Sequence, residues 1–199
     1  NVSMDGWLNL TTASVPAGAA ALTPGDDLAV FYTGFSERYR DWIHGAADAP
    51  ILSPDVYRAL VEPEVQQRDQ VLWVVIDCMR LDQWRMVEPV LEPFFHLERR
   101  LYWSILPTAT PYARNAIFSG YFPLEIVKHF PHYWQVGSDD EGSLNQYELE
   151  LLSAQLERLG LDPRIQPRYE KVFTKEDGAR LVKKIPSLMQ RGVTALVFN

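Results

Sequence analysis

Two residues stand where chemistry is easiest to perform. Asp77 directly follows the run Val71-Leu-Trp-Val-Val-Ile76, and Thr110 directly precedes Pro111. A continuous apolar, β-branched run reads as a strand covered on both faces of a parallel sheet, and ligands gather beyond the carboxyl ends of such strands. A carboxylate there can hold a hard or borderline cation. It can equally cap the next helix or pair with Arg80, and the residue type leaves both readings open. Pro favours the first helical position, so Thr110 is expected at the N-cap of a short helix over Pro111–Ser119, ended by Gly120. The free N–H groups and the helix dipole at that end favour a phosphate and a developing alkoxide. A threonine hydroxyl is a weak nucleophile until a metal or base activates it, and a cation on Asp77 would do so. The plainer alternative makes Thr110 a capping residue only.

The elements that must position these residues can be read on either side. Residues 1–25 mix Ala, Gly, Pro, Ser and Thr with little periodicity and read as a linker, with Trp7 and Leu8 able to dock it. Asp26 can cap a helix to about His44, whose Leu28, Phe31, Tyr32, Phe35, Tyr39 and Trp42 form a buried face at helical spacing. Ser53-Pro54 opens a short helix to about Val61, and the polar stretch Glu62–Gln70 reads as the lead-in to a new domain. After the strand at 71–76, a helix is expected at about 84–95 and a possible strand at Leu101–Leu106. Ser143 with Gln146 makes a capping box for a helix through Leu159, stopped by Gly160 and Pro163. Tyr169–Phe173 is a possible strand, Thr174 can cap a helix to about Gln190, and Val193–Phe198 is another buried strand. Strands alternating with helices give an α/β fold, with a mainly parallel sheet and flanking helices. The expected organisation is a helical linker over 1–68 and a second unit over 69–199.

Composition narrows the function classes. With 47% hydrophobic and 23% charged residues, the 199-residue chain is neither disordered nor collagen-like and can bury a substantial core. A net charge of −7 argues against wholesale electrostatic binding of duplex DNA, though a local basic site can still hold a phosphate. Cys78 is the only cysteine, so no intrachain disulfide can form and a reducing cytoplasm is the expected home. No apolar run reaches ~18 residues and no leader opens the chain, so neither membrane insertion nor a signal peptide is expected. The start at Asn1 and the stop directly after an apolar run read as cut ends, and a fragment is expected. A glycine-rich phosphate loop does not follow the strand at 71–76, which weighs against a generic nucleotide-binding domain.

The same residues carry a resemblance. Asp77 closing a first strand, followed by Pro107-Thr-Ala-Thr110 opening a helix that ends in Phe118-Ser-Gly120, resembles the alkaline phosphatase superfamily. The stretches Val75–Trp84, Ser104–Gly120 and Phe130-Pro-His-Tyr-Trp134 are similar to the PglZ domain of PorX-like proteins, over about residues 26–199. Proteins of that kind are cytoplasmic response regulators of the type IX secretion system, part of a two-component system, which join a receiver domain and a helical bundle to PglZ. The resemblance implies an incomplete alkaline-phosphatase-like α/β fold and a metal-dependent phosphodiesterase, with zinc the usual cation. Oligonucleotides or other nucleotide phosphodiesters are the implied substrates.

By that resemblance Asp77 and Thr110 share one metal, Thr110 attacks phosphorus, and water hydrolyses the resulting ester. Arg114 and Asn115, on the same short helix, are implied to contact the phosphate. Many nucleotide phosphodiesterases of the superfamily carry Asn where this chain has Ala113, and Asn115 is the candidate replacement. The remaining zinc ligands are expected beyond residue 199, so the fragment is expected to be inactive. His129 and His132, in a Pro- and aromatic-rich segment, read as surface or packing residues, and Asp139-Asp-Glu141 as a solvated loop. The rival reading is a non-catalytic signalling module that docks a secretion-system protein or sigma factor. A homodimer is compatible with either.

Overall fold

The computed structural model describes residues 38–134, 145–162, 167–189 and 191–199. Strand β1 spans Gln70–Ile76, β2 Arg168–Val172 and β3 Gly192–Phe198, and the sheet order is β1-β3-β2. Both pairings are parallel, running from Gln70 opposite Gly192 to Ile76 opposite Phe198, and from Arg168 opposite Thr194 to Val172 opposite Phe198. The three carboxyl ends are therefore level. The helices are α1 (Glu62–Gln67), α2 (Leu81–Leu91), α3 (Thr110–Ser119), α4 (Pro123–His129), α5 (Glu148–Arg158) and α6 (Lys175–Leu188). This is an open α/β fold with a parallel sheet and flanking helices, the class expected from the sequence.

Side chains alternate across the sheet, as strand geometry requires. Val71, Trp73, Val75, Val193, Ala195, Val197 and Tyr169 pack on one face with residues of α3, α4, α5 and the helical run 56–65. Val74, Leu196, Phe198 and Val172 pack on the other with Leu181, Ile185 and Leu188 of α6. Phe118 is fully buried at the centre of the first layer, its ring 4.9 Å from Trp73 and 5.7 Å from Tyr169. Thr174 caps α6, with Oγ1 accepting from Asp177 N at 3.1 Å while the Asp177 carboxylate accepts from Thr174 N at 3.0 Å.

Several expected elements differ. Residues 53–67 form one continuous helical run, a 3-10 turn (Ser53–Asp55), a π turn (Tyr57–Val61) and α1, so the polar lead-in is helical; Glu64 and Val65 are buried in it. Val56, Tyr57, Leu60, Val61 and Val65 share a core with Trp73. Helix α2 begins at Leu81 because the Gln83 side chain accepts from Arg80 N at 2.9 Å. Leu101–Leu106 is not a strand: Trp103 N donates to Ile51 O at 2.8 Å, Ile105 N to Ser53 Oγ at 3.1 Å and Leu106 N to the Tyr39 hydroxyl at 2.7 Å. Of the helix expected at 26–44, residues 38–43 are helical, with Trp42 half-buried against Trp103. Its earlier aromatics, Phe31 and Phe35 among them, lie outside the described residues, as do Ser143 and Asp139–Glu141.

Candidate active site

The β1–β3 ladder continues one residue past β1, with Asp77 N donating to Phe198 O at 2.8 Å. This fixes the Asp77 carboxylate at the carboxyl end of the sheet. Cys78 then turns the chain away in a left-handed conformation, φ 54°, a conformation that costs a non-glycine residue about 1–2 kcal/mol. The turn brings Cys78 N to 3.0 Å from Asp77 Oδ1, as a donor. The negative charge of Asp77, and then burial, push the Cys78 thiol above its usual range.

Thr110 is the first residue of α3, not its cap; Ala109 takes the cap position and Pro111 the second helical one. The Thr110 hydroxyl is thereby turned to the sheet and donates to Asp77 Oδ2 at 3.1 Å. One helical turn later, Arg114 Nη1 donates to the same Oδ2 at 3.0 Å and to Asn199 Oδ1, just past β3, at 2.6 Å. Its Nε donates to Glu148, the first residue of α5. Arg80, the partner considered for Asp77, pairs with Asp82 instead, with Nη2 2.8 Å from Oδ2. Asn115 is wholly buried and turned from this group: its Nδ2 donates to Pro111 O at 2.8 Å and its Oδ1 accepts from Asn145 at 3.3 Å. The structure thus brings together Asp77, Thr110 and Arg114, and sets Asn115 in the packing of α3 against α5. His129 and His132 are exposed and away from the site, His129 stacked on Tyr121 with ring centres 5.0 Å apart.

Sequence reasoning missed Glu148, Tyr169, Lys171 and Asn199. Glu148 is fully buried, accepts from the Tyr169 hydroxyl, and lies 3.1 Å from Lys171 Nζ. Burial first, and then the Glu148 charge, push the Tyr169 phenol far above its ordinary range. A cavity of about 320 Å³ is lined by Asp77, Thr110 and Arg114 together with Trp73, Trp84 and Tyr102.

Residues 56–199 match the family model described as the BREX system PglZ alkaline phosphatase-like domain. The chain belongs to the PglZ family. No curated protein gives a significant match. The PglZ match spans β1, α3, α5 and β3, and so covers Asp77, Thr110, Arg114 and Glu148; its alkaline phosphatase-like character points to a phosphoesterase-type, hydrolytic function. Such enzymes generally use metal ions. In this PglZ domain Asp77 and Thr110 supply two oxygen donors on one side of the cavity, which fit a cation in kind. Among the described residues no group of three His, Cys, Asp or Glu residues can complete a metal site. No described helix is long and apolar enough to cross a membrane.

Proposed function

We propose that this PglZ domain is a metal-dependent phosphodiesterase acting on oligonucleotides or other nucleotide phosphodiesters, with Thr110 as nucleophile. The observation that carries this reading is the Thr110 hydroxyl 3.1 Å from Asp77 Oδ2 at the first residue of a ten-residue helix. Backbone N–H donors and the dipole at that end favour the phosphate, and the aromatic wall of the adjoining cavity suits a nucleobase. Thr110 Oγ1 would bond to phosphorus as the P–O bond to the leaving alcohol breaks. The electron pair departs with that oxygen, which takes a proton from water, while the threonine proton passes to solvent. Water then attacks the phosphothreonine, returns a proton to Thr110 and releases the phosphomonoester. Asp77 and Thr110 would hold the cation, zinc by resemblance, with its other ligands outside the described residues. When bound, it lowers the pKa of the hydroxyl.

The Val75–Trp84, Ser104–Gly120 and Phe130–Trp134 stretches support a finer setting. In it the domain is the effector of a cytoplasmic PorX-like response regulator of type IX secretion. A second reading, docking of a secretion-system protein or sigma factor without turnover, is favoured by the apolar side chains that α2 leaves to solvent: Met86 is 79% and Val90 65% exposed. Metal analysis and turnover of a nucleotide phosphodiester by the full-length protein separate the two. The catalytic reading expects bound zinc and turnover, both lost in Asp77→Ala. Unchanged zinc content and rate in that variant would refute it.

A further inference from the structure

We infer that Glu148 is a positioning residue, which aims the Arg114 guanidinium at Asp77 and thereby holds the carboxylate and the Thr110 hydroxyl in register; this rests on the phosphodiesterase reading above. Glu148 has no exposed surface, and its side chain meets four donors: Arg114 Nε, the Tyr169 hydroxyl, Asn145 Nδ2 at 3.3 Å and Lys171 Nζ at 3.1 Å. Burying a carboxylate this fully is tolerated only with such pairing. Buried ion pairs are nonetheless poor stabilisers, often matched by apolar side chains of similar volume. The arrangement therefore calls for a use other than stability, and the geometry supplies one. A guanidinium is a rigid planar fork, so fixing its Nε on Glu148 sets the direction of Nη1, which reaches Asp77 Oδ2 at 3.0 Å and Asn199 Oδ1 at 2.6 Å.

Charge supports the same assignment. Two carboxylates, Asp77 and Glu148, face two cations, Arg114 and Lys171. Without the Glu148 charge the cluster becomes net positive, and Arg114 is released wholly to Asp77, the residue needed to hold the hydroxyl. Glu148 is itself braced from the sheet: Tyr169 and Lys171 alternate on β2 and so share a face, and Lys171 Nζ also donates to Asn145 O at 2.6 Å.

The test compares Glu148→Gln, Glu148→Asp and Tyr169→Phe in the full-length protein, by steady-state kinetics on a nucleotide phosphodiester and thermal unfolding. Arg114 is only 5% exposed and would act on alignment more than on substrate capture. Glu148→Gln is therefore expected to lower kcat by about a hundredfold, the loss typical of ångström-scale misplacement, with KM changed less than about threefold. Glu148→Asp should recover part of that loss by restoring the charge. Tyr169→Phe, which removes one donor, should cost roughly tenfold in kcat. Wild-type kcat in folded Glu148→Gln, or a change confined to KM, would overturn the assignment. Should Glu148→Gln fail to fold, wild-type kcat in folded Tyr169→Phe would overturn it equally. A wild-type protein without turnover overturns the phosphodiesterase reading, and the positioning role with it.

Discussion

Replacing Thr110 by alanine removes the hydroxyl together with the Cγ2 methyl, and asks whether the oxygen serves the fold or the reaction. In the fold the hydroxyl donates to Asp77 Oδ2 at 3.1 Å. A hydrogen bond to a charged group contributes about 1.5–3 kcal/mol in general. Here the Asp77 side chain is 24% exposed and keeps Arg114 and Cys78 N as donors, and water can reach the vacated place. The expected loss is therefore nearer 1 kcal/mol, about the low end for such a bond. Because Ala109 holds the cap position, no capping bond is lost, and alanine's better helix propensity returns up to a few tenths of a kcal/mol. For a chain of this size the melting temperature should fall by no more than about 4 °C. If the oxygen is the nucleophile, kcat should fall by at least about a thousandfold, and Thr110→Ser should keep measurable turnover. The assay is phosphodiester turnover by the full-length variants, with calorimetric unfolding beside it. A folded Thr110→Ala protein that turns over at the wild-type rate would refute the reasoning, and so would one destabilised by several kcal/mol, since the structure gives the hydroxyl no such role.

Two further outcomes are expected. Asp77→Asn removes the negative charge that chiefly raises the Cys78 thiol; the thiol pKa then falls, so labelling of this exposed cysteine at pH ~8 should speed up and its pH profile move to lower pH. An unchanged profile would mean that Asp77 does not control the local field. Gly120 closes α3 at φ 66°, and an added Cβ would lie 2.5 Å from Gln155 Oε1 and 2.6 Å from Arg158 Nη2. Gly120→Ala should therefore cost about 1–3 kcal/mol in urea unfolding, by backbone strain and by displacing the side chains that satisfy the carbonyls at the end of α3.

What the sequence disclosed follows from the range of the signal. Strands β1 and β3 announce themselves because both faces are covered, which forces consecutive apolar, β-branched residues. Leu101–Leu106 is also largely apolar, but its Trp103, Ile105 and Leu106 amides donate to Ile51, Ser53 and Tyr39, distant pairings that no local pattern encodes. The contact of Asp77 with Thr110 could be reached from the sequence because each lies at the end of a legible element. Glu148 could not. It opens a helix as Glu-Leu-Glu, which reads as a solvated charged start, and burial of a glutamate is seldom the better expectation. Asn115 was no more legible: one residue beyond Arg114 on a helix is a turn of about 100°, and its side chain bonds to Pro111 O and Asn145 and not to Asp77.

The bond from Asp77 N to Phe198 O also sets a timetable for the molecule. The two groups are separated by more than half the chain, so closing that contact comes at the expense of loop entropy before any packing compensates it. Helix α6 and β2 can form a local unit with β3 early, whereas β1 must await the arrival of β3 between it and β2. A chain emerging from the ribosome therefore holds β1 without its neighbour, and Asp77 without its anchor, until Phe198 has been made. Assembly of the carboxylate, hydroxyl and guanidinium is consequently a late event in folding, tied to the slow, non-local step of a parallel sheet.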